Sequence, residues 1–255
     1  MNRNVFLTLI SLLTLAMPAL PVWAHEFILV PQSWKSYTSG QQLPFSLVSS
    51  HVFMKSEELE NPANVKADYL GKDIPVTADK AFQTYTGTVT LGKAGAALLH
   101  GHRLGEVWSK TPQGTVKGDR TTLQGVVWSR NYEKFCKTLI PVAGKTDGWD
   151  VKTGDTLEIV PLNNPLELRV GDELEVQILY NGKPISPEGV TATFDGFTDS
   201  PNAYAFFAEP YGDGQARIQI SAPGFWMVRV QYIADAQGAD FDQHALRAVL
   251  AFPVR

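Results

Sequence analysis

Cysteine is nearly absent. Cys136 stands alone in 255 residues, so no intramolecular disulfide can form and packing must hold the fold. It lies in Tyr132-Glu133-Lys134-Phe135-Cys136-Lys137, beside aromatics and without a base that would mark a catalytic thiol, and reads as a small buried hydrophobe. A basic excess is missing as well: 22 Lys+Arg against 26 Asp+Glu give a net charge of −4, which leaves no electrostatic footprint for nucleic acid. Internal repeats and low-complexity tracts are lacking. So are a Gly-x-Ser-x-Gly elbow, a Gly-x-x-x-x-Gly-Lys phosphate loop and a His-Glu-x-x-His zinc helix, and the reading is that of a non-enzyme.

Long apolar runs are also scarce. Residues 5–17 form one, after Arg3 and before Pro18 and Pro21, but it falls short of the roughly 20 residues that span a bilayer. Val22 and Ala24 fit the −3 and −1 positions of a signal-peptidase site, so residues 1–24 read as a secretory signal peptide. The expected destination is the periplasm of a Gram-negative cell, with no membrane span in the mature chain. Cleavage after Ala24 makes His25 the first residue. Its α-amine, with an ordinary pKa near 7.7–8.0, then joins its ring nitrogen as a chelating pair.

What the chain does have is glycine (21), proline (16) and 11% aromatics, which suit a loop-rich β protein. Phe27-Ile28-Leu29-Val30, residues 43–48 and residues 84–91 carry strand signals with period-two character, and Val126-Val127-Trp128 and Leu139-Ile140-Pro141-Val142 continue them. Residues 54–59 are charged enough for a short helix or an exposed loop. Gly144, Gly148 and Gly154 then break the chain among Lys and Asp, which divides it into residues 25–145 and 155–255. In the second part residues 157–160, 173–179, 190–194, 216–220, 226–233 and 246–252 are candidate strands. Asn181-Gly182, Asp213-Gly214 and Pro223-Gly224 supply turns between them. The fold class expected is all-β, with two β-sandwich modules, the C-terminal one immunoglobulin-like or prealbumin-like. Trp226 is expected in its core.

Ligand chemistry is concentrated in the histidines, four of which fall in the first module. His100-Gly101-His102 places two imidazoles on one side of a regular strand, and Gly101 lets the backbone approach a ligand. His51 ends the strand at residues 45–48 and His25 begins the first. The expected metal ligands are therefore His25, His51, His100 and His102, meeting at one end of a sandwich. Imidazole and amine donors without a thiolate suit nickel, cobalt, zinc or copper(II). His244, near Asp240 and Asp242, reads as an exposed loop residue, and Trp226 and Trp108 as packing residues.

A family resemblance rests on particular segments. They are Leu157-Glu158-Ile159-Val160-Pro161-Leu162, Asn164-Pro165, Val170-Gly171-Asp172 and Leu179-Tyr180-Asn181-Gly182-Lys183-Pro184-Ile185, with Ala24-His25-Glu26-Phe27, Ser50-His51-Val52-Phe53 and Val107-Trp108-Ser109-Lys110-Thr111-Pro112-Gln113-Gly114 in the first half. Over essentially the whole mature chain the sequence resembles a bacterial periplasmic domain-of-unknown-function family once labelled a NikM-like nickel-transport region. It departs at Ile28, where relatives tend to carry an aromatic. The resemblance implies a metal-binding accessory protein for nickel or cobalt uptake or delivery, acting with a metal transporter or outer-membrane receptor, and it favours His25 and His51, which lie on its recurring motifs. Two other readings remain open: a copper histidine-brace oxidoreductase, and a metal-free structural or interaction module.

Overall fold

The computed structural model describes residues 25–236, 238 and 240–255; the signal-peptide reading of residues 1–24 lies outside them. The first half holds nine strands: β1 (Glu26–Pro31), β2 (Gln42–Ser50), β3 (Val65–Tyr69), β4 (Lys72–Asp73), β5 (Thr77–Asp79), β6 (Thr84–Thr90), β7 (Gly95–Thr111), β8 (Gly114–Lys117) and β9 (Trp128–Val142). The second half holds eight: β10 (Leu157–Pro161), β11 (Glu173–Tyr180), β12 (Lys183–Pro184), β13 (Val190–Phe194), β14 (Phe206–Ala208), β15 (Gln215–Gln219), β16 (Gly224–Asp235) and β17 (Gln243–Val254). Residues 54–59 are loop, the second of the two alternatives the sequence left open.

These strands form three sheets. A small first sheet runs β1-β2-β6-β5, and a small third sheet gathers β10, β11, β12 and β15. The large middle sheet runs β14-β13-β16-β17-β9-β7-β3-β4, with β8 paired to β7. Its centre is the parallel pairing of β17 with β9, from Gln243↔Arg130 to Ala251↔Thr138. The two sandwich cores thus share one sheet. Phe225, Met227, Val249, Ala251, Cys136 and Ile140 face the first small sheet. Trp226, Val228, Leu250, Phe252, Phe135 and Leu139, their neighbours along the same strands, face the third.

A sheet covered on both faces loses its polar alternation, because both sets of side chains are buried. This is why Phe135-Cys136-Lys137-Thr138-Leu139-Ile140 is buried at every position, and why residues 245–254 are nearly so. Two lysines are buried in β9, each with a carboxylate: Lys134 Nζ donates to Glu60 Oε1 and Lys137 Nζ to Glu158 Oε1, both at 2.7 Å. The connection from β9 to β10, residues 143–156, carries the glycines that mark the sequence boundary, and Trp149 within it packs against the second core. Asn181 and Gly182 both take positive φ (50° and 73°) in the turn between β11 and β12, as a two-residue hairpin requires.

Candidate metal centre

The antiparallel register of β1 and β2 pairs Glu26 with Ser50, so His25 and His51 lie one step further along the same two strands. Their rings meet with centroids 3.9 Å apart. The chain beyond His51 then turns sharply. Met54 adopts φ 72°, a conformation a non-glycine residue holds only at a cost, and Lys55 N–H donates to the Val52 carbonyl at 3.0 Å. The turn carries the chain back until Glu57 N–H donates to the Ser49 carbonyl at 2.9 Å. Glu57 Oε2 consequently lies 2.7 Å from His51 Nδ1 and 3.6 Å from His25 Nε2.

One ligand atom from each of His25, His51 and Glu57 lies within 4.8 Å of the other two. Nitrogen and oxygen donors bind zinc at about 2.0–2.2 Å, which places neighbouring donors of a tetrahedral ion roughly 3.3 Å apart. The donor set therefore fits a borderline divalent ion with little movement. The two histidine side chains are mostly covered, whereas Glu57 is about one-third exposed (35%), so approach is from its side. Burial pushes the Glu57 carboxyl up, but the hydrogen bond and charge of His51 outweigh it and hold the group below its ordinary value. Glu58 accepts from His25 Nδ1 at 2.8 Å and is likewise held low. Neither glutamate was legible as a ligand, because their nearness to the rings depends on the turn at Met54 rather than on any spacing.

The single four-histidine centre expected from the sequence is not what the fold builds. Gly101 faces the first core: a Cβ there would lie 2.6 Å from Cys136 Sγ and 3.0 Å from Leu47 Cδ2. This close packing, rather than approach to a ligand, is what requires glycine. His100 and His102, flanking it, point to the opposite face of the middle sheet. There His102 stacks on Phe135 with centroids 4.6 Å apart, and its Nε2 bonds Glu133 Oε1 at 2.7 Å. His244 Nε2 takes the other oxygen of Glu133 at 2.8 Å, in strand β17 rather than in a loop. Burial raises the Glu133 carboxyl, but the hydrogen bonds from His102 and His244 outweigh it and bring it to about 2.

His100 is removed from the ligand set by its own hydrogen bonds. Nδ1 bonds Asp68 Oδ2 at 2.7 Å and Nε2 bonds Asp155 Oδ1 at 3.0 Å. Carboxylates only accept, so both ring nitrogens carry hydrogens and neither offers a lone pair to a metal. Burial lowers its pKa, but Asp155 and Asp68 more than compensate and raise it from 6.5 to about 9. A raised histidine stabilises the fold fully below about pH 6.5, and that contribution is lost as pH rises through about 9. The expected result is a loss of about 3 kcal/mol between pH 6 and pH 10 in urea unfolding, beyond whatever a His100→Gln protein loses over the same range. Equal pH dependence of the two proteins would refute it.

Cys136 is fully buried in the first core, where burial pushes its thiol well up and leaves it inert, in keeping with a packing role. Trp108, at the far end of β7, donates from Nε1 to Glu106 Oε2 at 3.1 Å on the strand surface. Among the described residues no helix is long and apolar enough to cross a membrane.

Comparison with curated proteins returns no match. Among solved structures, the D0-D1 domain of intimin is 12% identical, covering 91% of this chain and 99% of that one, with a TM-score of 0.23. A putative membrane anchored protein from Corynebacterium diphtheriae is 14% identical, covering 90% of this chain and 59% of that one, with a TM-score of 0.25. Superpositions this weak carry no argument about function. A family model described as Domain of unknown function (DUF4198) matches residues 22–234, most of the chain, and the protein belongs to that family.

Proposed function

We propose that this is a periplasmic, non-enzymatic protein that binds one transition-metal ion, nickel or cobalt, and assists its uptake or delivery through a transporter or receptor. The observation that carries the reading is the approach of His25, His51 and Glu57 to within 4.8 Å of one another. Two imidazoles and a carboxylate are borderline donors suited to Ni, Co, Zn or Cu(II), and the Irving–Williams order makes copper the tightest binder in vitro whatever the cargo in the cell. The ligand set differs from the one expected from sequence: Glu57 enters, and His100 and His102 leave.

Geometry also supports carriage over brace chemistry. A chelate between the His25 amine and its own ring uses Nδ1, yet Nδ1 faces Glu58 and it is Nε2 that faces Glu57. Side chains alone therefore supply the three donors. The test is calorimetric titration with nickel and cobalt. One ion per chain is expected, weakened about a hundredfold (roughly 2.7 kcal/mol) by His51→Ala or Glu57→Gln and unchanged by His100→Gln. Adding one residue ahead of His25 should leave the stoichiometry at one ion per chain. Loss of binding on that addition, together with copper-dependent oxygen turnover, would instead favour the brace, and full retention by His51→Ala would overturn the site.

A further inference from the structure

Beyond the first core, the same face of the middle sheet carries an unusual row of charged side chains. Gln231, Arg247, Lys134 and Arg103 stand directly in register across β16, β17, β9 and β7. Like charges opposite one another on adjacent strands destabilise a sheet, so three cations in one row are costly unless something compensates them. Glu60 compensates Lys134 at 2.7 Å and Arg103 at 3.3 Å. Glu26 bonds Arg229 at 2.8 Å and Arg247 at 3.0 Å. Two carboxylates thus serve four cations. Burial, with Arg103 and Arg247 adding repulsion against the pull of Glu60, holds the Lys134 ammonium below its ordinary range.

A fifth cation, Arg130, lies on the same face, four residues before Lys134 in β9. Among the described residues no carboxylate is within ion-pair distance of it: Nε and Nη2 donate to the Gln243 amide oxygen at 3.1 and 2.5 Å. Its guanidinium is held near the rings of Trp128 (5.1 Å) and Tyr132 (5.9 Å). A positioned guanidinium with a neutral partner is set up to take an oxyanion through paired hydrogen bonds. Arg130, Lys134 and Arg247 line a cavity of about 120 Å³ with Trp128 and Tyr132 as apolar walls. Glu133 also borders it, but its oxygens are held by His102 and His244.

We propose that this cavity binds a small molecule that carries a carboxylate or phosphate on a partly apolar body. Arg130, with Arg247 and Lys134 beside it, takes the oxyanion, and Trp128 and Tyr132 take the body. This goes beyond the metal reading and does not depend on it. The test is therefore done on metal-free protein and repeated in His51→Ala. Inorganic phosphate, phenyl phosphate and neutral phenol are titrated by calorimetry at low ionic strength. Phenyl phosphate should bind one per chain, tighter than phosphate, with phenol silent. Arg130→Gln, which keeps the fold as judged by circular dichroism and Tm, should weaken phenyl phosphate about tenfold. Raising the salt should weaken it further. Absence of saturable phenyl phosphate binding, or equal affinity in Arg130→Gln, overturns the proposal; either result leaves the metal titration standing.

Discussion

Replacing Lys137 by alanine is expected to lower the unfolding free energy by about 3–5 kcal/mol, because it leaves a buried carboxylate without its counter-charge. Lys137 and Glu158 are each 2% exposed, and the ammonium lies 2.7 Å from the carboxylate. They tie the middle sheet to the third sheet across the interior, from β9 to β10. Glu158 is further fixed by Thr153 N–H at 2.7 Å, Thr153 Oγ1 at 3.1 Å and Gly154 N–H at 3.2 Å, which hold the start of β10 in place. Those donors remain in Lys137→Ala, so the damage is electrostatic and not a lost turn. Removing both charges together should be far milder: Lys137→Met with Glu158→Gln keeps an acceptor for Thr153 and buries no net charge. Urea unfolding followed by circular dichroism measures both. A loss under about 1 kcal/mol in the single variant would mean that water reaches the pair.

Trp226→Ala is expected to cost a similar 3–5 kcal/mol through the cavity it opens. Trp226 is fully buried between the middle and third sheets, its ring centroid 5.0 Å from that of Phe194. Its Nε1 donates to the Ala222 carbonyl at 2.9 Å, which secures the loop entering β16. Trp226→Phe keeps most of the packing and forfeits the hydrogen bond, so it should fall well short of the alanine variant. Denaturant midpoints of the three proteins check the order. Equal loss in the phenylalanine and alanine variants would place the stabilisation in the hydrogen bond rather than in the ring.

Strands were legible in part, where one face of a run differs from the other, whereas the long β7 was legible only around His100-Gly101-His102 and the short β3, β4, β5, β8, β12 and β14 were not among the candidates. Residues 27–30 and 43–48 fall in β1 and β2, residues 84–91 cover β6 and one residue beyond it, and all six candidates of the second half coincide with strands to within a residue. The exceptions are instructive. Val126-Val127-Trp128 and Leu139-Ile140-Pro141-Val142 read as separate strands because Arg130, Glu133, Lys134 and Lys137 between them look solvated. Trp128 and Leu139-Ile140-Pro141-Val142 belong to one strand, β9, whose lysines are buried against Glu60 and Glu158 far away in sequence, whereas Val126 and Val127 lie in the loop before it. The shared middle sheet was hidden for the same reason: no local pattern announces which distant strand a buried one will pair with.

The site divides likewise. His25 and His51 could be found because each borders a recognisable strand, and the register of β1 with β2 then sets them side by side. Glu57 could not, since a positive φ at Met54 returns it to the rings. His-Gly-His looked like a ligand pair on spacing alone. What the spacing omits is the acidic partners, Asp68, Asp155 and Glu133, supplied by three other parts of the chain.

The parallel pairing of β9 with β17 joins residues 113 apart, as Arg130 and Gln243 illustrate. Folds dominated by such non-local pairing have high contact order and assemble slowly, because loop-closure entropy is met before the contacts that reward it. A chain delivered N-terminus first, from ribosome or translocon, holds β9 with an empty edge until its final strand emerges. During that interval an unpaired, apolar edge is open to wrong partners. Truncation by even that last strand would leave neither half with a complete interior.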